Sequence, residues 1–141
     1  MGSFDDEEIC ILIAIPNKGM ADLLMEIISE MGYHPLVAYD KSAIQRIAKE
    51  TISITVLIVD WELTRLHFPG ILSWFKSLHP CSERYILIEG VEEIIREGIA
   101  KEEFCCFMKK PFNIQSFEKG VLTCVEEYQK AVKTRDGGNQ P

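Results

Sequence analysis

The feature that most constrains this chain is a run with no polar face. Ile9-Cys10-Ile11-Leu12-Ile13-Ala14-Ile15 is apolar throughout and rich in β-branched residues. Such a run marks a strand covered on both faces, the condition of a parallel sheet. Ile54 to Val59, which ends at Asp60, reads the same way, and Tyr85 to Ile88 reads as the fourth strand. Leu36 to Ala38 is a short second strand, and Phe104 to Met108 reads as the fifth. Between these runs the apolar residues recur at helical spacing. Met20, Leu23, Leu24, Ile27, Ile28 and Met31 form one such stripe, closed by Gly32 as a C-cap. Ala43, Ile44, Ile47 and Ala48 form a second, and a third follows Pro69-Gly70 as Ile71, Leu72, Trp74, Phe75 and Leu78. Val91 to Ala100 predicts a fourth helix. Asn113 is placed to cap a fifth that carries Phe117, Val121, Val125, Tyr128 and Val132.

A strand followed by a helix, five times over, implies a parallel sheet with helices on both faces. Right-handed crossovers leave few arrangements. The common one is a single doubly wound α/β domain, (βα)5, with strand order 2-1-3-4-5. The expected organisation is an acidic N-terminal extension over 1–7, the domain over 8–132, and a flexible tail or the start of a linker over 133–141. Lys133 to Pro141 has no apolar periodicity.

Charge and composition remove several function classes. The net charge is −7, and the basic clusters are short and interrupted by acids, so direct binding to nucleic acid is not expected. No apolar run approaches the roughly 20 residues of a membrane helix. Asp5-Asp6-Glu7-Glu8 stands where a secretory signal would be basic. The expectation is a soluble, cytoplasmic protein with no membrane partner. The five cysteines, Cys10, Cys81, Cys105, Cys106 and Cys124, form no C-x-x-C pair, and His34, His67 and His79 do not stand at zinc-ligand spacing from any of them. Most lie in apolar stretches and read as reduced core thiols.

In doubly wound sheets ligands sit at the carboxyl ends of the strands, near the point where strand order reverses. That rule selects Ile15-Pro16-Asn17, Asp60-Trp61-Glu62, Glu89-Gly90 and Lys109-Lys110-Pro111. Asn17-Lys18-Gly19 opens a helix but lacks the glycine spacing of a nucleotide loop. His67 reads as a surface residue of the loop after Asp60, Trp61 as a loop aromatic, and Trp74 and Phe75 as core.

These junctions also carry a family resemblance. Val56-Leu57-Ile58-Val59-Asp60 resembles the phospho-acceptor strand of response-regulator receiver domains, and Phe107-Met108-Lys109-Lys110-Pro111-Phe112 resembles the ending of their fifth strand. The resemblance covers about residues 8 to 130. It implies the flavodoxin-like, receiver-like fold and a place in two-component phosphorelay signalling. It assigns Asp60 the phospho-acceptor position, Lys110 the position of the phosphate-pairing lysine, and Phe107 and Glu89 the switch positions.

Two parts of the family pattern are missing. Ile15 and Pro16 occupy the positions of the acidic pair that holds Mg2+, and Glu89 stands where the family has Ser or Thr. The acids Asp5 to Glu8 precede the first strand and so lie at its far end, about 23 Å away for a seven-residue strand. Mg2+ needs near-octahedral oxygen ligands, and phosphoryl transfer to aspartate depends on the ion to neutralise charge. A carboxylate at Glu89 would face Asp60 where a donor is wanted, and like charges about 4 Å apart repel by roughly 4 kcal/mol at an effective dielectric near 20. Either Lys110 bridges Asp60 and Glu89 in a permanent ion-pair cluster, or Asp60 and Lys110 are relics and Glu89 points to solvent.

The leading expectation is a degenerate receiver, a pseudo-receiver without catalytic residues or cofactor. It would work through a protein partner, a sensor histidine kinase or a second copy. The contact face would be the fourth helix, fifth strand and fifth helix, bearing Glu92, Glu93, Arg96, Lys101, Glu118 and Lys119. The alternatives are a working phospho-receiver with Mg2+ held by Asp60, Glu62 and water, and a small-molecule-binding flavodoxin-like protein.

Overall fold

The computed structural model describes residues 9–88, 106–110 and 113–138. The strands are β1 (Cys10–Ala14), β2 (His34–Ala38), β3 (Val56–Asp60), β4 (Glu83–Ile88) and β5 (Cys106–Lys109). Three helices are α1 (Lys18–Glu30), α2 (Lys41–Glu50) and α3 (Ile71–Leu78), and a C-terminal helix spans Ile114–Gly138. A short π-helix, Leu63–His67, separates β3 from α3. The five strands form one sheet in the order β2-β1-β3-β4-β5, and each neighbouring pair is parallel. This is the fold class expected from the sequence. The expected extension over 1–7 and the expected fourth helix, Val91 to Ala100, lie outside the described residues, as does Glu89.

The pleat sorts the strand residues onto two cores. Leu12, Ala14, Leu57, Val59 and Ile86 pack under Ile44, Ala48, Ile71, Leu72 and Phe75 of α2 and α3. Ile11, Ile13, Val56, Ile58, Tyr85 and Leu87 pack under α1 and the C-terminal helix, against Leu24, Ile28, Phe117, Val121 and Val125. Every residue of β1 and of β3 is buried, the physical basis of their uninterrupted apolar runs. Pro35 within β2 is tolerated because β2 is an edge strand, where a missing N–H breaks no second ladder.

The helix starts follow their capping chemistry. Asn17 Oδ1 accepts from the Met20 N–H at 2.9 Å, Asp40 Oδ1 from Ala43 at 2.8 Å, and Asn113 Oδ1 from Ser116 at 2.7 Å. Gly32 follows α1 with a φ of 90°, the left-handed backbone that ends many helices. At the other terminus the structure departs from expectation. The C-terminal helix runs to Gly138, six residues into the stretch read as a flexible tail. Helix propagation needs no apolar residue once a turn is formed.

One contact fixes where the C-terminal helix lies on the sheet. Tyr85 of β4 is buried, stacks on Phe117 with ring centroids 5.5 Å apart, and donates its hydroxyl to the Phe117 carbonyl at 3.3 Å. The tyrosine tip lies against Gly120, where an added Cβ would come within 2.3 Å of the hydroxyl oxygen. Glycine at 120 is therefore a requirement of close approach.

Candidate functional site

The carboxyl ends of β1, β3 and β5 bring together three of the residues singled out in the sequence. Alternation places Asp60 on the same face of β3 as Val56 and Ile58. The β1–β3 register pairs Ala14 with Val59, so Ile15 stands level with Asp60 on the neighbouring strand. Its side chain belongs to the same core, and it is 0% exposed. On β5, Cys106 and Met108 face that core too, and Lys110 continues their alternation one residue past the strand.

Lys110 must reach across β4 to meet Asp60, a separation of about 9.5 Å between strand axes. Its four-carbon stem does so. Lys110 Nζ lies 2.5 Å from Asp60 Oδ2, and the two side chains are 14% and 9% exposed. The other oxygen, Oδ1, accepts the Glu62 N–H at 2.9 Å. Both carboxylate oxygens are thus engaged by donors. This contact is the Asp60 half of the bridge that was one of the two readings of the sequence. The Glu89 half lies outside the described residues.

The segment after Asp60 is not the loop expected from the sequence. Trp61 and Glu62 are helical and lead into the π-helix Leu63–His67. The Phe68 N–H closes a π-turn onto the Leu63 carbonyl at 2.8 Å, and the Thr64 hydroxyl donates to the Trp61 carbonyl at 2.8 Å. Trp61 is not a loop aromatic. It is buried in the core under α2 and α3, beside Leu63 and Phe68. Phe75 is core as expected, whereas Trp74 is half-buried at its edge, its ring tilted against Phe68 with centroids 5.4 Å apart. His67 is exposed.

The remaining assigned positions fall as follows. Pro16 is exposed at the end of β1, just before the Asn17 cap. The Glu62 carboxylate is exposed and turned to Arg65, 3.0 Å away. Phe107 lies within β5. Pro111 and Phe112 lie outside the described residues.

The described donor set does not match a hard divalent cation. Mg2+ requires oxygen ligands in octahedral array. Ile15 offers hydrocarbon, and each oxygen of Asp60 already accepts one donor. Glu62 turns its N–H toward Asp60, while its carbonyl, in a helical backbone of φ −60° and ψ −38°, is directed along the helix. Among the described residues no cluster of three or more His, Cys, Asp or Glu could hold a metal. What the arrangement does chemically is neutralise one carboxylate with an ammonium and an amide. The sequence identified Asp60 and Lys110. It did not identify the part played by the Glu62 amide, since nothing in a side-chain pattern marks a backbone donor.

No protein-family model and no curated protein matches the chain. Solved structures do match it. One is described as the adenylate cyclase from Rhodopirellula baltica, with a TM-score of 0.83 and 12% identity over 95% of this chain and 99% of that one. A CheY-like response regulator receiver domain from Methanospirillum hungatei matches with a TM-score of 0.78 and 14% identity, over 88% of this chain and 98% of its own. A receiver domain from Clostridium thermocellum matches with a TM-score of 0.74 and 18% identity, over 86% and 97%. Likeness at such identities speaks for the fold: the chain has the flavodoxin-like fold found in response-regulator receiver domains.

Proposed function

We propose that this chain is a degenerate receiver-like module of two-component phosphorelay signalling. It acts through protein–protein contact, with little or no Mg2+-dependent phosphorylation of Asp60 and no catalysis of its own. The observation that carries the reading is the state of Asp60. Its carboxylate is held by Lys110 and the Glu62 amide, and the neighbouring strand presents buried Ile15. The scaffold that responds to phosphate is retained, while the groups that would load it are replaced. Its partner is a protein, either a sensor histidine kinase or a second copy of the chain. In a receiver-like frame the contact face includes the start of the C-terminal helix, where Glu118 is half-buried and Lys119 exposed. No contact with nucleic acid is proposed, in keeping with a net charge of −7.

Trp61 provides the test, since it follows Asp60 directly. In a Trp74→Phe variant, Trp61 is the one remaining tryptophan. The proposal predicts unchanged fluorescence as Mg2+ is titrated through the millimolar range. A saturable change abolished by Asp60→Asn would contradict it, and would favour a working site with metal held by Asp60, Glu62 and water.

A further inference from the structure

The Asp60 carboxylate does more than pair with Lys110. Asp60 is the residue immediately before the first helical residue, Trp61. Its Oδ1 accepts the N–H of the second, Glu62, at 2.9 Å. This is N-cap geometry. The helical stretch it caps includes the π-helix Leu63–His67, a rare conformation that recurs at functional sites. Its inner side is anchored by Trp61, Leu63 and Phe68 in the core. Its outer side presents Arg65, Leu66 and His67, with Leu66 54% exposed.

We propose that Asp60 is the positioning residue of this turn: its carboxylate is the cap that keeps 61–67 wound, so a change at the carboxylate alters how Arg65, Leu66 and His67 are presented. The first N–H groups of a helix have no partner within it. Of these, the Glu62 N–H is given one by Asp60. Without the cap that donor turns to water, and the short turn, too brief to sustain itself by propagation, frays from its start. The route from site to surface is then local. It runs through one amide into the turn that follows β3, with no need of movement in β4 or β5. That a partner reads this surface rests on the receiver-like reading above; that Asp60 holds it does not.

Amide hydrogen exchange resolved by residue tests the capping role in four forms of the whole chain. Asn is as good a cap as Asp, yet it carries no charge for Lys110. Asp60→Asn therefore retains the cap and loses the ion pair, as Lys110→Met also does. Asp60→Ala loses both. The prediction is that Asp60→Ala speeds exchange at Glu62 and through the turn to Phe68 by about five- to thirty-fold, while β1 and the C-terminal helix keep their protection. Asp60→Asn should leave the turn within about threefold of the parent, and Lys110→Met, which keeps the capping carboxylate, should open it less than Asp60→Ala does. Three outcomes overturn the proposal: Asn opening the turn as far as Ala, which makes the ion pair the holder; Ala leaving the turn protected, which makes burial of Trp61, Leu63 and Phe68 sufficient; or Ala loosening sheet and turn alike, which makes the effect global. Whether Asp60 can be phosphorylated bears on the proposed function alone; the exchange comparison is made on the unphosphorylated chain and stands either way.

Discussion

Two residues show where ordinary rules change sign. Gly→Ala within a helix normally stabilises by about 1 kcal/mol. At Gly120 the new methyl would strike the Tyr85 ring and hydroxyl, with the nearest atom 2.3 Å away. Gly120→Ala is therefore predicted to destabilise by about 1–3 kcal/mol, read from urea denaturation midpoints. Tyr85 itself has its pKa raised, mainly by burial and further by the nearby Cys106 and Cys124 thiols. Unfolding frees a phenol that ionises near pH 10, while the buried one keeps its proton to higher pH. The unfolded state then binds fewer protons, and stability falls as pH rises above about 10; below that it is unaffected by this group. Thermal melts across that range should show the fall, and Tyr85→Phe should flatten it, at a cost of about 1 kcal/mol at neutral pH for the lost hydroxyl contact. Neither effect was legible in the sequence. Tyr85 read simply as part of a buried strand, and Gly120 lies thirty-five positions away on a helix whose register against β4 no local pattern encodes.

At the scale of elements, legibility followed burial. β1, β3 and β4 were readable because both faces of each are covered, and α1 because its stripe and its caps agree. The π-helix was hidden. Its own inward residues are only Leu63 and Thr64, adjacent positions too few to set a period, so the segment read as loop. The last turns of the C-terminal helix were hidden for the opposite reason, since residues 133 to 138 carry no apolar residue at all. The tie between β3 and the end of β5 makes a prediction at this scale. Lys110→Met leaves a carboxylate, 9% exposed, with one donor in place of two. A loss of about 3 kcal/mol is expected, measured by chemical denaturation. In the Asp60→Asn, Lys110→Met double variant the loss should be smaller than in Lys110→Met alone, because the unpaired charge has gone.

For the whole molecule, the doubly wound order placed the ends of β1, β3 and β5 on one edge of the sheet, with β4 between β3 and β5, and that is why a sequence reading could name Asp60, Lys110 and Ile15 together. The order follows from crossover handedness and the alternation of element types. What it could not provide is the state of the site: which oxygen meets which donor, and that a backbone amide takes one of them. Those facts depend on the winding of the segment after Asp60. They also move the account from a pattern with missing members to a carboxylate already satisfied. No helix among the described residues is long and apolar enough to cross a membrane, and the fold is that of receiver domains, so the question that matters is whether this aspartate can still be loaded. Incubation of the chain with a small-molecule phosphodonor and Mg2+, followed by intact mass measurement, asks it most directly. The account predicts an unchanged mass; a gain of about 80 Da that disappears in Asp60→Asn would contradict it.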